Sequence, residues 1–385
     1  MERGRLGGEG AGRGAPAGRW DAAGAALSTS SGEPVLRRRT GVEVELLAPR
    51  GFSRRHLADE LARRCGGSVR PVFHADSETS ATAGVERFWH LTPGFEVLGA
   101  DGAVLCRLVD DTTIVQDLDP SAAPLPGWYR VLTDDARLLR LVAAHADPAE
   151  RIGSVLQPVA ELFGTRVAAV GAVFRVDDGA GASVAMAAPL PGERERPCEV
   201  ITPPLEVDHL DALEALLAPA RELGLTVPAE AAVHLHLDAA PFRDVDVFRG
   251  VLRLFGPWGP GLRLLLGTNP ACRRLGPLPP ELVALAEREW AGWEELRDAA
   301  AATGVSKFRD VNLTHVLGVR PGPPTLEVRV LPGCADGRAI VRRAALVEAL
   351  LERFCSGEPL PPAPGDGAEA AAALLALAGP VPVRR

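Results

Sequence analysis

The sequence predicts an α+β fold built on antiparallel sheet, and three observations predict it. Strand-like and helix-like periods alternate irregularly along the chain rather than in strict strand–helix pairs. No strand is followed by a glycine-rich phosphate loop, so neither a Rossmann fingerprint nor a Walker loop is present. With 41 Gly and 34 Pro, the chain is punctuated too often for a long helical bundle.

The elements follow in order. Residues 1–37 are rich in Gly, Ala, Ser and Arg without apolar periodicity and read as a mobile tail. Gly41 to Leu47 alternates Val42, Val44 and Leu46 with Glu43 and Glu45, the period-two pattern of a half-buried strand. Ser53 can cap a helix carrying Leu57, Leu61 and Cys65, and Gly66-Gly67 stops it. Val69 to Phe73, Arg87 to Leu91 and Phe95 to Asp110 read as extended, with a hairpin turn at Ala100-Asp101-Gly102. Helical spacing is expected over Asp134 to Ala146, Arg151 to Phe163, Asp208 to Leu223, Val245 to Phe255 and Pro280 to Ala302. Strand runs are expected at Arg166 to Val176, Cys198 to Thr202, Ala232 to Asp238, Val311 to Val316 and Leu326 to Leu331. Residues 38–357 thus form one composite domain, and 358–385 a linker with an Ala-rich end that can form a weak helix.

Composition narrows the function. A hydrophobic share of 46% with 24% charged residues is that of a soluble globular protein. The net charge of −8 argues against a nucleic-acid partner, which calls for a surplus of Lys and Arg on one face. No apolar run is long enough for a bilayer, and no membrane partner is expected. The six cysteines lie without a CxxC pair, which suits a reducing cytoplasm. Arg replaces Lys almost everywhere. The single lysine, Lys307, and one of only two asparagines, Asn312, fall in the same short segment.

Five strand segments carry candidate polar groups, three of them at period two. Glu43 and Glu45 point one way, toward a shared cation or simply toward solvent. His234, His236 and Asp238 share a face opposite Val233, Leu235 and Leu237, giving a metal or phosphate surface. Glu327 and Arg329 lie side by side, which alone is more often a surface ion pair. Glu199 precedes the Pro203-Pro204 stop, and Lys307, Arg309 and Asn312 bring cations and an amide to a fifth strand. In the loop after the third strand, Asp76 offers a carboxylate that can bind an ammonium group and help it lose a proton, with His74 steadying the loop. Asp110-Asp111 and Asp117 are alternatives for an amine, and the hairpin region from Phe88 to Asp110 is where substrate contacts are expected. Carboxylates, imidazoles and cations together suit a nucleoside triphosphate with divalent cations.

The ordered set GVEVE, HADSE, CEVITPPL, VHLHLD, KFRDVN and LEVRVLPG resembles the putative amidoligase family, from about Gly41 to Gly333. That family groups with glutamine synthetase-like and glutamate–cysteine ligase-like carboxylate–amine ligases. The resemblance implies a glutamine synthetase-like catalytic domain that uses ATP with Mg2+ or Mn2+. It implies metal ligation by Glu43, Glu45, Glu199, His234 and Glu327, with His236 nearer the nucleotide. It places Arg329 toward the transferring phosphoryl group, Lys307 and Arg309 against phosphates, and Asn312 where it orients a neighbour. Arg329, Arg309 and Asp76 are its catalytic candidates. The expected activity is amide or isopeptide formation through an acyl phosphate, from small-molecule or peptide carboxylate and amine substrates. A two-metal hydrolase and an inactive nucleotide- or peptide-binding module are the alternatives, and the oligomeric state is open.

Overall fold

In the computed structural model of the protein, residues 32–75, 88–272, 274–380 and 382–384 are described. Of the HADSE motif, His74 and Ala75 are described, whereas Asp76 to Glu78 lie outside the described residues. The alternating stretches form strands because one side of each buries valine and leucine while the other carries polar groups.

In chain order these are β1 (Glu33–Pro34), β2 (Thr40–Leu47), α1 (Arg54–Cys65), β3 (Ser68–Ala75), β4 (Trp89–Leu98), β5 (Val104–Val109) and β6 (Tyr129–Thr133). Next come α2 (Ala136–His145), α3 (Gln157–Phe163), β7 (Val167–Val170), β8 (Val173–Asp177), β9 (Ser183–Pro189), β10 (Pro197–Ile201) and α4 (His209–Glu222). The chain continues with β11 (Ala232–Asp238), α5 (Val245–Phe255), α6 (Gly259–Leu266), α7 (Pro280–Val283), α8 (Trp293–Ala302), β12 (Val311–Asn312) and β13 (Thr325–Pro332). It ends with α9 (Gly337–Cys355), α10 (Gly367–Ala378) and β14 (Val383–Arg384).

Among the described residues, twelve strands form one sheet whose path runs β12-β13-β11-β2-β10-β5-β4-β6-β9-β8-β7, with β3 beside β4. Neighbouring strands in it pair antiparallel. With helices covering it, the architecture is the expected α+β type. A large apolar core joins Val42, Val44 and Leu46 of β2 to Leu57 of α1, Leu217 of α4, Phe248 and Val251 of α5, and Leu346 and Leu350 of α9. A smaller core gathers Tyr129 and Val131 of β6 with Leu139 of α2 and Val159 of α3.

The sheet forks at β4. One edge of β4 is lined by β3 from Leu91 to Leu98. The other edge is shared: β5 pairs with Phe95–Leu98 and β6 with Trp89–Leu91. Thr92–Gly94 lie between the two partners. Pro93 cannot donate to a neighbour in any case, and its carbonyl accepts instead from Arg54 Nη2 at 3.2 Å.

Several expectations are corrected. Arg166 to Val176 is a hairpin rather than one strand, because Gly171 takes φ +61° between β7 and β8. Pro280 to Ala302 is two helices: the first ends by Glu287, Arg288 is extended, and α8 starts only after Gly292. The 19-residue α9, along with α6, β6 and β9, was not read from the sequence. The Ala-rich end is helix α10, which buries Ala370 and Leu374 against α6 in the main core. No helix among the described residues is long and apolar enough to cross a membrane.

Candidate functional site

The register of five neighbouring strands assembles the site. On β2, the valines go to the core and Glu43 and Glu45 to the other face. β10 lies antiparallel along one edge and sets Glu199 opposite Glu45. β11 lies along the other edge, with His234 opposite Glu43 and His236 opposite Gly41. At Gly41 a Cβ would stand 3.4 Å from that of His236, so the missing side chain leaves the imidazole its space. β13 then sets Glu327 opposite His236, and β12 sets Asn312 opposite Glu327. Between Val233 and Leu235 the β11–β13 register shifts, so that Arg329 and Val330 both oppose His234. Such a bulge re-aims a side chain, here Arg329.

The side chains meet closely. His234 Nδ1 lies 3.0 Å from Glu43 Oε2 and 3.7 Å from Glu327 Oε1, and its Nε2 lies 3.5 Å from Glu45 Oε1. His236 Nε2 stands 3.0 Å from Glu43 Oε1, with Thr325 Oγ1 at 3.2 Å from its other nitrogen. Arg329 forms an ion pair with Glu327, and Asn312 Nδ2 donates to the other oxygen of Glu327 at 2.7 Å. The Asn312 Oδ1 accepts from the backbone and hydroxyl of Thr314, which fixes the amide's orientation. The backbone N–H of Ala232 donates to Glu45 Oε2 at 2.7 Å.

The electrostatics are uneven. Burial and the repulsion of Asp111 and Glu43 push the Glu45 carboxyl well above its ordinary value. Glu199 is pushed up in the same way, by burial and then by Glu43, Asp111 and Glu45. Burial would also raise Glu43, but His236 and His234 outweigh it and hold that carboxyl well below the usual range. Burial lowers His234, helped by Arg329. His236 rises to about 9 despite its burial, because Glu43 faces it. Arg329 and His236 hold Glu327 down against its own burial.

Two donor sets emerge, Glu43–Glu199–His234 and Glu43–His236–Glu327, each with its ligand atoms within 4.8 Å of one another. The structure thus brings together Glu43, Glu45, Glu199, His234, His236, Glu327, Arg329 and Asn312. His236 enters a donor set itself, and Asn312 engages Glu327. Arg309 instead donates to the Pro277 carbonyl at 3.0 Å, and Lys307 lies 5.4 Å from the Phe308 ring centroid. The charge of Lys307 still reaches His315, which also feels Glu327 and His236. Asp238 ends β11 exposed, accepts from Ala240 N at 3.0 Å and enters neither donor set.

Other residues join. Asp111, read only as an amine-binding alternative, is buried, accepts from Thr113 N and Oγ1 at 2.8 Å, and acts on Glu45 and Glu199. Glu230 and Cys272 line the small cavity beside Glu45, His234 and Arg329 and were missed. Glu230 accepts from Val115 N at 2.9 Å and Gln116 N at 2.8 Å, tying the loop after β5 to the entry of β11. Both residues sit in turns, where periodicity carries no signal.

The family model described as putative amidoligase enzyme matches residues 36–351, and the chain belongs to that family. No curated protein matches it.

Proposed function

We propose that the protein is an ATP-dependent carboxylate–amine ligase. The observation that carries this reading is the convergence of Glu43, Glu45, Glu199, Glu327, His234 and His236 with Arg329 on one sheet face. Family membership supports the ligase class, and the two donor sets support metal dependence.

The residues fit divalent cations. Carboxylate oxygens are ligands suited to Mg2+ or Mn2+, the imidazole nitrogens favour Mn2+ of the two, and the raised carboxyls of Glu45 and Glu199 mark negative charge that the protein leaves uncompensated. Glu43, Glu199 and His234, with Glu45 beside them, would hold one ion, and Glu43, His236 and Glu327 a second. Bound there, the cations offset repulsion between a triphosphate and a substrate carboxylate.

In this reading a carboxylate oxygen of the first substrate attacks the γ-phosphorus of ATP, and the bond to the bridging oxygen of ADP breaks. Arg329, held by its ion pair with Glu327 and with its Nε buried without a partner, faces the charge that develops. Lys307 and Arg309 add positive potential from their loop. The neutral amine of the second substrate then attacks the acyl carbon of the acyl phosphate, the bond to phosphate oxygen breaks, and Asp76 takes the amine proton. The products are an amide, ADP and phosphate. We extend the scaffold reading to a glutamine synthetase-like catalytic domain on the same grounds.

The test is ADP release from Mg-ATP by the full chain with pooled amino acids and amines, run beside Glu327→Ala. Substrate-stimulated release that vanishes in the variant is expected. Hydrolysis of phosphoesters or amides without ATP would favour a two-metal hydrolase, and absence of nucleotide binding would sink the ligase reading.

A further inference from the structure

The fork in the sheet holds a cavity of about 280 Å³, lined among others by Thr92, Asp110, Leu118, Arg130, Leu190 and Arg194. Its volume sits at the lower edge of the roughly 300–1,000 Å³ typical of small-molecule pockets. It opens where β5 leaves β4 and β6 takes over, and pairing carries one face of the sheet without a break from the donor sets to this point. Glu199 stands opposite Val109, Ile201 opposite Arg107, Arg107 opposite Glu96, and His90 opposite Leu132, two residues from Arg130.

The segment from Asp110 to Thr113 separates cavity from cluster and belongs to both. Asp110 and Thr112 line the cavity. Thr113 lines the small cavity at Glu45 and His234, and Asp111 acts electrostatically on that cluster.

The two arginines differ in occupation. Arg194 is fully engaged: it pairs with both oxygens of Asp110 and donates to the carbonyls of Ile114 and Asp111 at 2.6 Å. Arg130, half-buried on β6, makes no hydrogen bond or ion pair among the described residues, and its Nε is buried without a partner. A guanidinium held this way is costly until an anion meets it, and its planar fork matches a carboxylate. Burial and the neighbouring Arg194 lower its pKa against the pull of Asp110, whose two oxygens are already taken up by Arg194. With Asp110 neutralising Arg194, the walls carry one uncompensated positive charge. That suits a single carboxylate better than a phosphate dianion, which would face Asp110.

We infer that this cavity seats the non-reacting carboxylate of a small amino-acid-like substrate, with Arg130 as its binding residue and Leu118 and Leu190 as apolar walls. That this ligand is a ligase substrate rests on the function proposed above; the binding itself does not.

The test uses the full chain without ATP. L-Glutamate, L-alanine, L-lysine and glutarate, each beside its carboxamide, and inorganic phosphate are titrated against the thermal unfolding midpoint. At least one carboxylate is expected to stabilise saturably while its amide does not. Arg130→Met, which keeps most of the side-chain packing, should weaken that binding tenfold or more, and Arg130→Lys should restore part of it. Independently of any variant, the stabilising carboxylate should protect Arg130 from phenylglyoxal, as mapped by peptide mass spectrometry. Stabilisation by none of the carboxylates, equal binding of an amide or of phosphate, or unchanged labelling of Arg130 would each overturn the inference. Substrate-stimulated ADP formation without carboxylate binding would sink this inference and leave the ligase reading standing; carboxylate binding without ADP formation would do the reverse.

Discussion

Two groups of buried carboxylates share one face of the sheet and keep opposite company. Glu96 on β4, 1% exposed, lies opposite Arg70 of β3 and Arg107 of β5 and pairs with both. Those two arginines outweigh its burial and hold its carboxyl below the ordinary value. Glu43, Glu45 and Glu199 are a few strands away, yet their company is two histidines, other carboxylates and one arginine already paired with Glu327. Burial there wins for Glu45 and Glu199. A carboxylate that serves structure brings its own cations, whereas a carboxylate left among its own kind is arranged to receive them from outside.

That contrast can be broken or sharpened by experiment. The largest effect is expected from Glu327→Ala, which should lower metal-dependent ADP formation by about 100-fold or more with the far-UV circular dichroism unchanged. Asn312→Ala should weaken Mn2+ binding by about 10- to 100-fold, measured calorimetrically, because Glu327 loses the amide that orients it.

Glu199→Gln should stabilise the metal-free chain by about 1–2 kcal/mol at pH 8 and by less at pH 5, read from urea unfolding with chelator present. The sign follows from its raised pKa. The folded chain binds this proton more tightly than the unfolded one, so the native carboxyl costs stability as pH rises from its ordinary value of 4.5. Equal stability of variant and wild type at both pH values would mean that the cluster is not frustrated.

Glu96→Gln should do the opposite and least, costing about 1 kcal/mol because both arginine partners are more than half exposed and screened. Its depressed pKa makes that contribution present above pH 4.5 and lost as pH falls through the folded value, so the variant and wild type should converge in acid. Metal-dependent turnover should not change.

Much of this face was legible in the sequence. Where a strand alternates strictly, as at Val42–Leu46 or Val233–Leu237, period two alone assigns each side chain to core or site. Neighbouring strands then need only pair in register for Glu43, His234 and Glu327 to meet. Which strands pair was not legible, because pairing is decided by tertiary contacts between distant segments. Hence the fork at β4 had no signature: the region expected to contact substrate, Phe88 to Asp110, does supply His90, Thr92 and Asp110 to the cavity, but Arg130 looked like one arginine among many. The shift that aims Arg329 is one extra residue in β13, invisible to periodicity. Helix α9 went unread although Ile340, Val341, Ala344, Leu346, Val347, Leu350 and Leu351 are buried in it. It is enclosed on most sides, and a broad apolar surface blurs a 3.6-residue pattern.

The donor groups come from strands widely separated along the chain, with Glu43 near one end and Glu327 near the other. Closing loops of that length is slow and entropically costly, so no early, local folding event can create the site. A break in the exposed turn at Gly179–Gly181, between β8 and β9, would leave Glu43 and Glu45 on one piece and Glu199, both histidines and Glu327 on the other. Neither piece would own a complete donor set, and metal uptake on mixing them would then serve as a built-in reporter of reassembly.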